Sequence, residues 1–103
     1  MESYLQQAAG DSVDAVSLRD VQNAIAAIRE MDDEHGAFWV GIIEEDETVL
    51  EAHKDLTVIG IFPQIGGQEI RVQMPNWTEV ELLYTLFLDC NFEAVKSILN
   101  KSI

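Results

Sequence analysis

The chain has few cysteines and few basic residues, and both shortages limit the compartments and partners that fit it. Cys90 is the only cysteine in 103 residues, which excludes an internal disulfide and fits a reducing compartment. Six Lys and Arg residues stand against nineteen Asp and Glu residues, so the formal net charge is −13. Nucleic acids and anionic membranes would repel such a chain over about one Debye length. We therefore expect a basic protein as partner, with no direct contact to nucleic acid or membrane.

Long hydrophobic runs are also absent from the sequence. No segment approaches the ~20 consecutive apolar residues that a membrane-spanning helix needs. Residues 1–10 lack the basic and apolar regions of a signal peptide. These absences lead us to expect a cytoplasmic protein.

The chain is nevertheless apolar enough to fold. Hydrophobic residues make up 48% of it, including two Trp, four Phe and two Tyr, which is too many for a disordered acidic tail. A chain of this length can bury roughly 65% of its unfolded surface in one core. The sequence therefore predicts a single domain over residues 1–103.

Helical spacing and capping signals predict three helices. Ser17 and Asp20 resemble a capping box at the start of a helix over about 18–31. Asn76 with Glu79 opens a second helix over about 77–89, and a short third helix follows from Phe92.

Four runs rich in aromatic and β-branched residues predict four strands, at 38–43, 48–53, 56–62 and 68–74. The third run is apolar at nearly every position, which favours a central strand. Residues 1–16 show no sustained periodicity and are expected to form a loosely ordered arm. The order αββββαα predicts an α+β fold, with a four-stranded, mainly antiparallel sheet covered by helices on one face.

The acidic residues are concentrated in one part of the chain. Ten of the nineteen lie between Glu30 and Asp55, where the only Lys or Arg is Lys54. Two clusters, at 32–34 and 44–47, are expected at opposite ends of one strand, ~23 Å apart. A field of one sign over that distance can speed association with an oppositely charged partner by about 10- to 1000-fold. The alternative is that both clusters are solvated turns that keep the protein soluble.

Trp39 alternates with Phe38 on the first predicted strand. One of the two side chains must point away from the helix layer. If this is Trp39, it is a natural interface anchor beside acidic turns. The alternative is that a second layer covers that face.

Other chemistry lacks a matching pattern. Neither acidic cluster has the order of a calcium-binding loop, and His35 and His53 are not at a paired metal-ligand spacing. Cys90 has no basic sequence neighbour to activate it as a nucleophile. Gly66 and Gly67 follow Pro63 and fit a turn better than a phosphate-binding loop. We expect no metal, no cofactor and no enzymatic activity.

The whole pattern resembles the immunity proteins of bacterial polymorphic toxin and contact-dependent inhibition systems. The resemblance is architectural: a leading helix over 17–31, a meander with acidic turns and the closing segment WTEVELLYTLFLDCNFEAVKSI. It implies a protein that blocks a cognate toxin, commonly a nuclease, by covering its active site or a nearby surface. The predicted contacts are Asp32, Asp33, Glu34, Trp39, Glu44, Glu45, Asp46 and Glu47.

Two other functions fit the same sequence. A phage-encoded nucleic-acid mimic, of the anti-CRISPR or anti-restriction type, would use the same charge against a host nucleic-acid-binding protein. A non-enzymatic subunit of a larger assembly would dimerise through an apolar face that includes Ile43, Ile59 and Ile61. In isolation the chain is expected to be a monomer or a homodimer.

Overall fold

The computed structural model describes residues 2–8, 10–32, 36–43, 47–62 and 68–101. Over these residues the strands are β1 (Glu2–Gln7), β2 (Ser12–Asp14), β3 (Ala37–Ile43), β4 (Glu47–His53), β5 (Thr57–Phe62) and β6 (Gln68–Gln73). The helices are α1 (Leu18–Glu30), α2 (Trp77–Leu88) and α3 (Phe92–Lys101).

The strands form one antiparallel sheet in the order β2-β1-β3-β4-β5-β6. The predicted α+β class, the antiparallel sheet and the three helices are confirmed. The predicted number of four strands is wrong, because the expected N-terminal arm forms β1 and β2. β1 pairs along its length with β3, and its Leu5 enters the core opposite Val40. The third predicted strand, β5, lies next to the edge of the sheet, whereas β3 and β4 occupy the centre.

Side-chain caps set the starts of the helices. The Ser17 hydroxyl oxygen accepts a hydrogen bond from the backbone N–H of Asp20, whose carboxylate accepts one from the backbone N–H of Ser17. The Asn76 side-chain oxygen accepts from the N–H of Glu79 at 2.9 Å. Each cap satisfies N–H groups that the first turn of a helix leaves without partners.

The helices cover one face of the sheet and build the core there. Tyr84 of α2 stacks on Phe38 of β3 with 5.2 Å between ring centroids, and its hydroxyl donates to the Leu50 carbonyl at 2.8 Å. The core continues from Tyr84 through Phe87 to Phe92 of α3. This chain of rings ties both C-terminal helices to the middle of the sheet.

Gly60 allows α3 to approach β5 closely. A Cβ atom at this position would lie 2.9 Å from the Leu99 Cδ1 atom and 2.6 Å from the Phe62 ring. Both distances are shorter than a normal carbon–carbon contact of about 3.5–4.0 Å. Gly60 therefore leaves the space that Leu99 fills.

Candidate functional site

The sheet has a second face, opposite the helices, which we call the open face. On β3, Phe38, Val40 and Ile42 are buried in the core, while Trp39 and Ile43 lie on the open face because side chains alternate along a strand. The strand register aligns two rows across this face. The first row is Gln6, Trp39, Glu51, Ile59 and Arg71, and the second is Tyr4, Gly41, Val49, Ile61 and Glu69.

The middle of the open face is apolar. This apolar centre consists of Trp39, Ile43, Val49, Ile59 and Ile61 on β3, β4 and β5. Val49 pairs with Ile61, and Glu51 lies between Trp39 and Ile59. Ile59 is only 5% exposed, and Trp39 and Val49 are half-buried. Ile43 and Ile61 are 37% and 38% exposed, and they are two of the four exposed large hydrophobic residues in the described part of the chain. Exposed apolar side chains grouped on one face are typical of a contact surface.

Acidic side chains lie around and within the apolar centre. The strand register assigns five described acids to the open face, against His53 and Arg71 as its described basic residues. These acids are Glu2, Asp14, Glu47, Glu51 and Glu69. His53 Nε2 lies 2.7 Å from Glu51 Oε2 on the same strand, a contact that becomes an ion pair when the imidazole is protonated. The open face therefore carries a net negative charge, as the whole chain does.

Tyr4 connects β1 to β4 across the intervening β3. Its ring lies over Gly41, where a Cβ atom would overlap the ring atoms. Its hydroxyl donates a hydrogen bond to the Glu47 carboxylate. Burial, together with the hydrogen bond to Glu47 and the negative charge of Glu47, raises the pKa of Tyr4 to about 12. The neutral hydroxyl therefore fixes one of the open-face carboxylates in place.

Three of the eight predicted contact residues are among the described residues. Trp39 lies on the open face in the middle of β3, and Glu47 lies on the same face as the first residue of β4. Asp32 is exposed and precedes β3 at its other end. The remaining predicted contacts, Asp33, Glu34, Glu44, Glu45 and Asp46, lie outside the described residues.

The structure adds residues to the site that the sequence prediction missed. Glu2, Tyr4 and Asp14 reach the open face only because Glu2–Gln7 and Ser12–Asp14 form strands. With Ile43, these residues help to line an open groove of about 790 Å³ at one end of the face. The sequence signal for them is weak, because Leu5 is the only core residue of β1.

Cys90 is half-buried against the core at the end of α2, with a φ of 60°. In the described ranges, no three His, Cys, Asp or Glu side chains are grouped as metal ligands. None of the described helices is long and apolar enough to span a membrane.

Comparisons with protein-family models, curated protein sequences and solved structures found no match to this chain.

Proposed function

We propose that the protein is a small acidic inhibitor that binds and neutralises a cognate bacterial toxin in the cytoplasm. The toxin is a basic protein, most simply a nuclease, and binding covers its active site or a nearby surface. The observation that carries this proposal is the open face, where a partly exposed apolar centre lies among five acids.

Charge and apolar contact have separate tasks in this proposal. A nuclease cleft is basic because it holds phosphates, so the net charge of −13 steers the two proteins together. Once they touch, the apolar centre loses water and holds the complex, with Trp39 as anchor. Six strands spaced ~4.8 Å apart and ~20 Å long give a projected face of roughly 580 Å², which is most of the ~800 Å² that one partner contributes to a standard interface.

Two other functions keep specific support. A nucleic-acid mimic of phage origin would present the same acidic face to a host nucleic-acid-binding protein. A subunit of a larger assembly would use the apolar centre alone, and Ile43, Ile59 and Ile61 do lie together on the open face.

The experiment is affinity capture of the tagged protein from lysate of its native cell, with elution stepped in salt and bound proteins identified by mass spectrometry. We expect one stoichiometric basic protein that elutes late. A toxin whose activity falls on addition of equimolar protein supports the proposal, and a host defence nuclease supports the mimic. Capture of no basic protein contradicts both.

Variants of the captured complex test the open face directly. Trp39→Ala is expected to raise the dissociation rate about 30-fold, the equivalent of ~2 kcal/mol for an interface anchor. Ile61→Ala should also weaken binding. Leu82→Ala is the matched control, since Leu82 is 46% exposed on α2. Equal affinities of the Ile61→Ala and Leu82→Ala variants, with Trp39→Ala folded and unimpaired, would remove the open face from the interface.

A further inference from the structure

The strand β6 lies at the edge of the sheet, with β5 as its only strand neighbour among the described residues. The Met74 N–H donates a hydrogen bond to the Leu56 carbonyl at 2.9 Å. This bond identifies the residues of β6 whose backbone groups are hydrogen-bonded to β5. Because hydrogen-bonded pairs alternate in an antiparallel ladder, Ile70 and Val72 direct their backbone groups to β5. Glu69, Arg71 and Gln73 direct theirs outward. An edge of this kind is a template for another strand.

A second copy of the chain can pair with this edge in few ways. A two-fold axis perpendicular to the sheet keeps the helix-covered faces of both copies on one side. The residues whose backbone groups point outward must then oppose each other, because only they can form hydrogen bonds between the copies. Centring the axis on Glu69 sets Glu69 against Glu69, and centring it on Arg71 sets Arg71 against Arg71. Centring it on Ile70 sets Glu69 of each copy against Arg71 of the other. Opposite charges attract across strands and like charges repel, so among these three registers charge favours the one centred on Ile70.

We propose that the protein forms a two-fold homodimer in which the β6 strands of two copies pair antiparallel, centred on Ile70. Glu69 and Arg71 exchange backbone hydrogen bonds with Arg71 and Glu69 of the second copy, and their side chains form two cross-strand ion pairs. The two Ile70 side chains meet on the helix-covered side. The result is a continuous twelve-stranded sheet, twice the six strands described for one copy.

The charge of the chain favours β6 over the opposite edge. Residues 68–101 hold three of the six Lys and Arg residues but only five of the nineteen acids. The opposite edge is β2, only three residues long, which ends at Asp14 and follows Asp11. Pairing of two β2 strands would bring like charges together. Pairing through β6 joins a strand that holds both an acidic and a basic residue, Glu69 and Arg71, and does not involve the acidic 30–55 segment.

The dimer has a consequence for the open face. The two-fold axis leaves both open faces on the same side of the extended sheet, so two acidic surfaces stand side by side. Such a dimer can bind bivalently to any partner whose two basic sites are spaced to match the two acidic surfaces. The pairing itself does not rest on the proposed function, and either proposal can fail without the other.

Sedimentation equilibrium on the full chain tests the proposal, from about 1 µM to about 1 mM protein. We expect a monomer–dimer equilibrium for the wild type. Arg71→Glu and Glu69→Arg should each raise the dimer dissociation constant about 10- to 30-fold, because both ion pairs become like-charge pairs. The double charge swap, Glu69→Arg with Arg71→Glu, should restore the dimer. An equimolar mixture of the two single variants should form a heterodimer, since every pair is again complementary.

Arg29→Glu is the matched control, because it makes the same charge change at an exposed position of α1. It should leave the dimer intact. Amide hydrogen exchange gives a second measurement on the wild type, in which the outward N–H groups of Glu69 and Arg71 should gain protection as concentration rises. A wild type that stays monomeric, a dimer that survives both single variants, or concentration-independent exchange at these two amides overturns the proposal.

Discussion

The two tyrosines of the chain show how single residues respond to the two faces of the sheet. Tyr84 is buried in the helix-covered core, and its burial, with the nearby charge of Glu51, raises its pKa well above the usual value. Tyr4 lies on the open face, and burial and Glu47 raise its pKa to about 12. Both hydroxyls are hydrogen-bonded to oxygen acceptors, so both are held in the neutral form.

The first prediction concerns alkaline titration. In both tyrosines the folded pKa lies above the unfolded value of 10.0, so the unfolded state ionises first. The contribution of these groups to stability is therefore complete below pH 10 and falls as pH rises toward 12. Tyrosinate absorbance in the near ultraviolet should stay low at pH 10 in the folded protein and should appear at pH 10 in denaturant. A normal transition near pH 10 in folded protein would contradict the neutral Tyr4–Glu47 hydrogen bond.

Tyr4→Phe separates the two tyrosines. The ring keeps its place over Gly41, but the hydrogen bond to Glu47 is lost, at a cost of about 0.5–1.5 kcal/mol. The remaining tyrosine, Tyr84, should then ionise only as the protein unfolds. A residual transition before unfolding would mean that Tyr84 is less well enclosed than its full burial indicates.

At the scale of helices and strands, the sequence predicted the features that depend on residues close together in the chain. The caps at Ser17 and Asn76 and the apolar stripes of α1 and α2 predicted both helices to within about one residue. The alternation of β3 also predicted that Phe38 and Trp39 lie on opposite faces. These features depend on residues a few positions apart.

Pairing between distant segments could not be predicted in this way. β1 contributes only Leu5 to the core and β2 is exposed throughout, so neither has a two-residue period of apolar residues. β1 forms because β3 offers a partner about 35 residues later in the chain, a contact that local spacing does not encode, and β2 in turn pairs with β1. The groove and the acids of β1 and β2 were missed for the same reason, whereas the placement of Trp39 and Phe38 on opposite faces was predicted because that signal is local.

The attachment of β1 to β3 gives a prediction about elements. Gly41→Ala would place a methyl group where the Tyr4 ring lies, so we expect a destabilisation of about 1–3 kcal/mol. The cost should be much smaller in a Tyr4→Ala background, where the ring is absent. Denaturant unfolding of the four proteins in this double-mutant cycle gives the coupling energy. A cost that is unchanged by Tyr4→Ala would place the strain in β3 itself.

At the scale of the whole molecule, thirteen excess negative charges occupy a body with a radius of gyration of 12.5 Å. Like charges at these separations repel one another, and the repulsion is weaker in the expanded, unfolded chain. The acidic surface that would attract a basic partner therefore lowers the stability of the protein alone. Solubility alone would require fewer acidic residues, since a net charge of magnitude about 2–8 suffices for a small domain.

Salt should therefore stabilise the isolated protein. The Debye length falls from about 30 Å at 0.01 M to about 3 Å at 1 M ionic strength, so sodium chloride should screen most of the repulsion. Each kcal/mol recovered should raise Tm by roughly 4–8 °C for a domain of this size.

Neutralising three acids with Glu44→Gln, Glu45→Gln and Asp46→Asn should raise Tm at low salt and reduce its dependence on salt. An uncharged osmolyte at matched osmolality controls for general solvent effects. A Tm that does not change with sodium chloride would mean that the acids are spaced too widely to repel, and the energetic argument for their use in binding would fall.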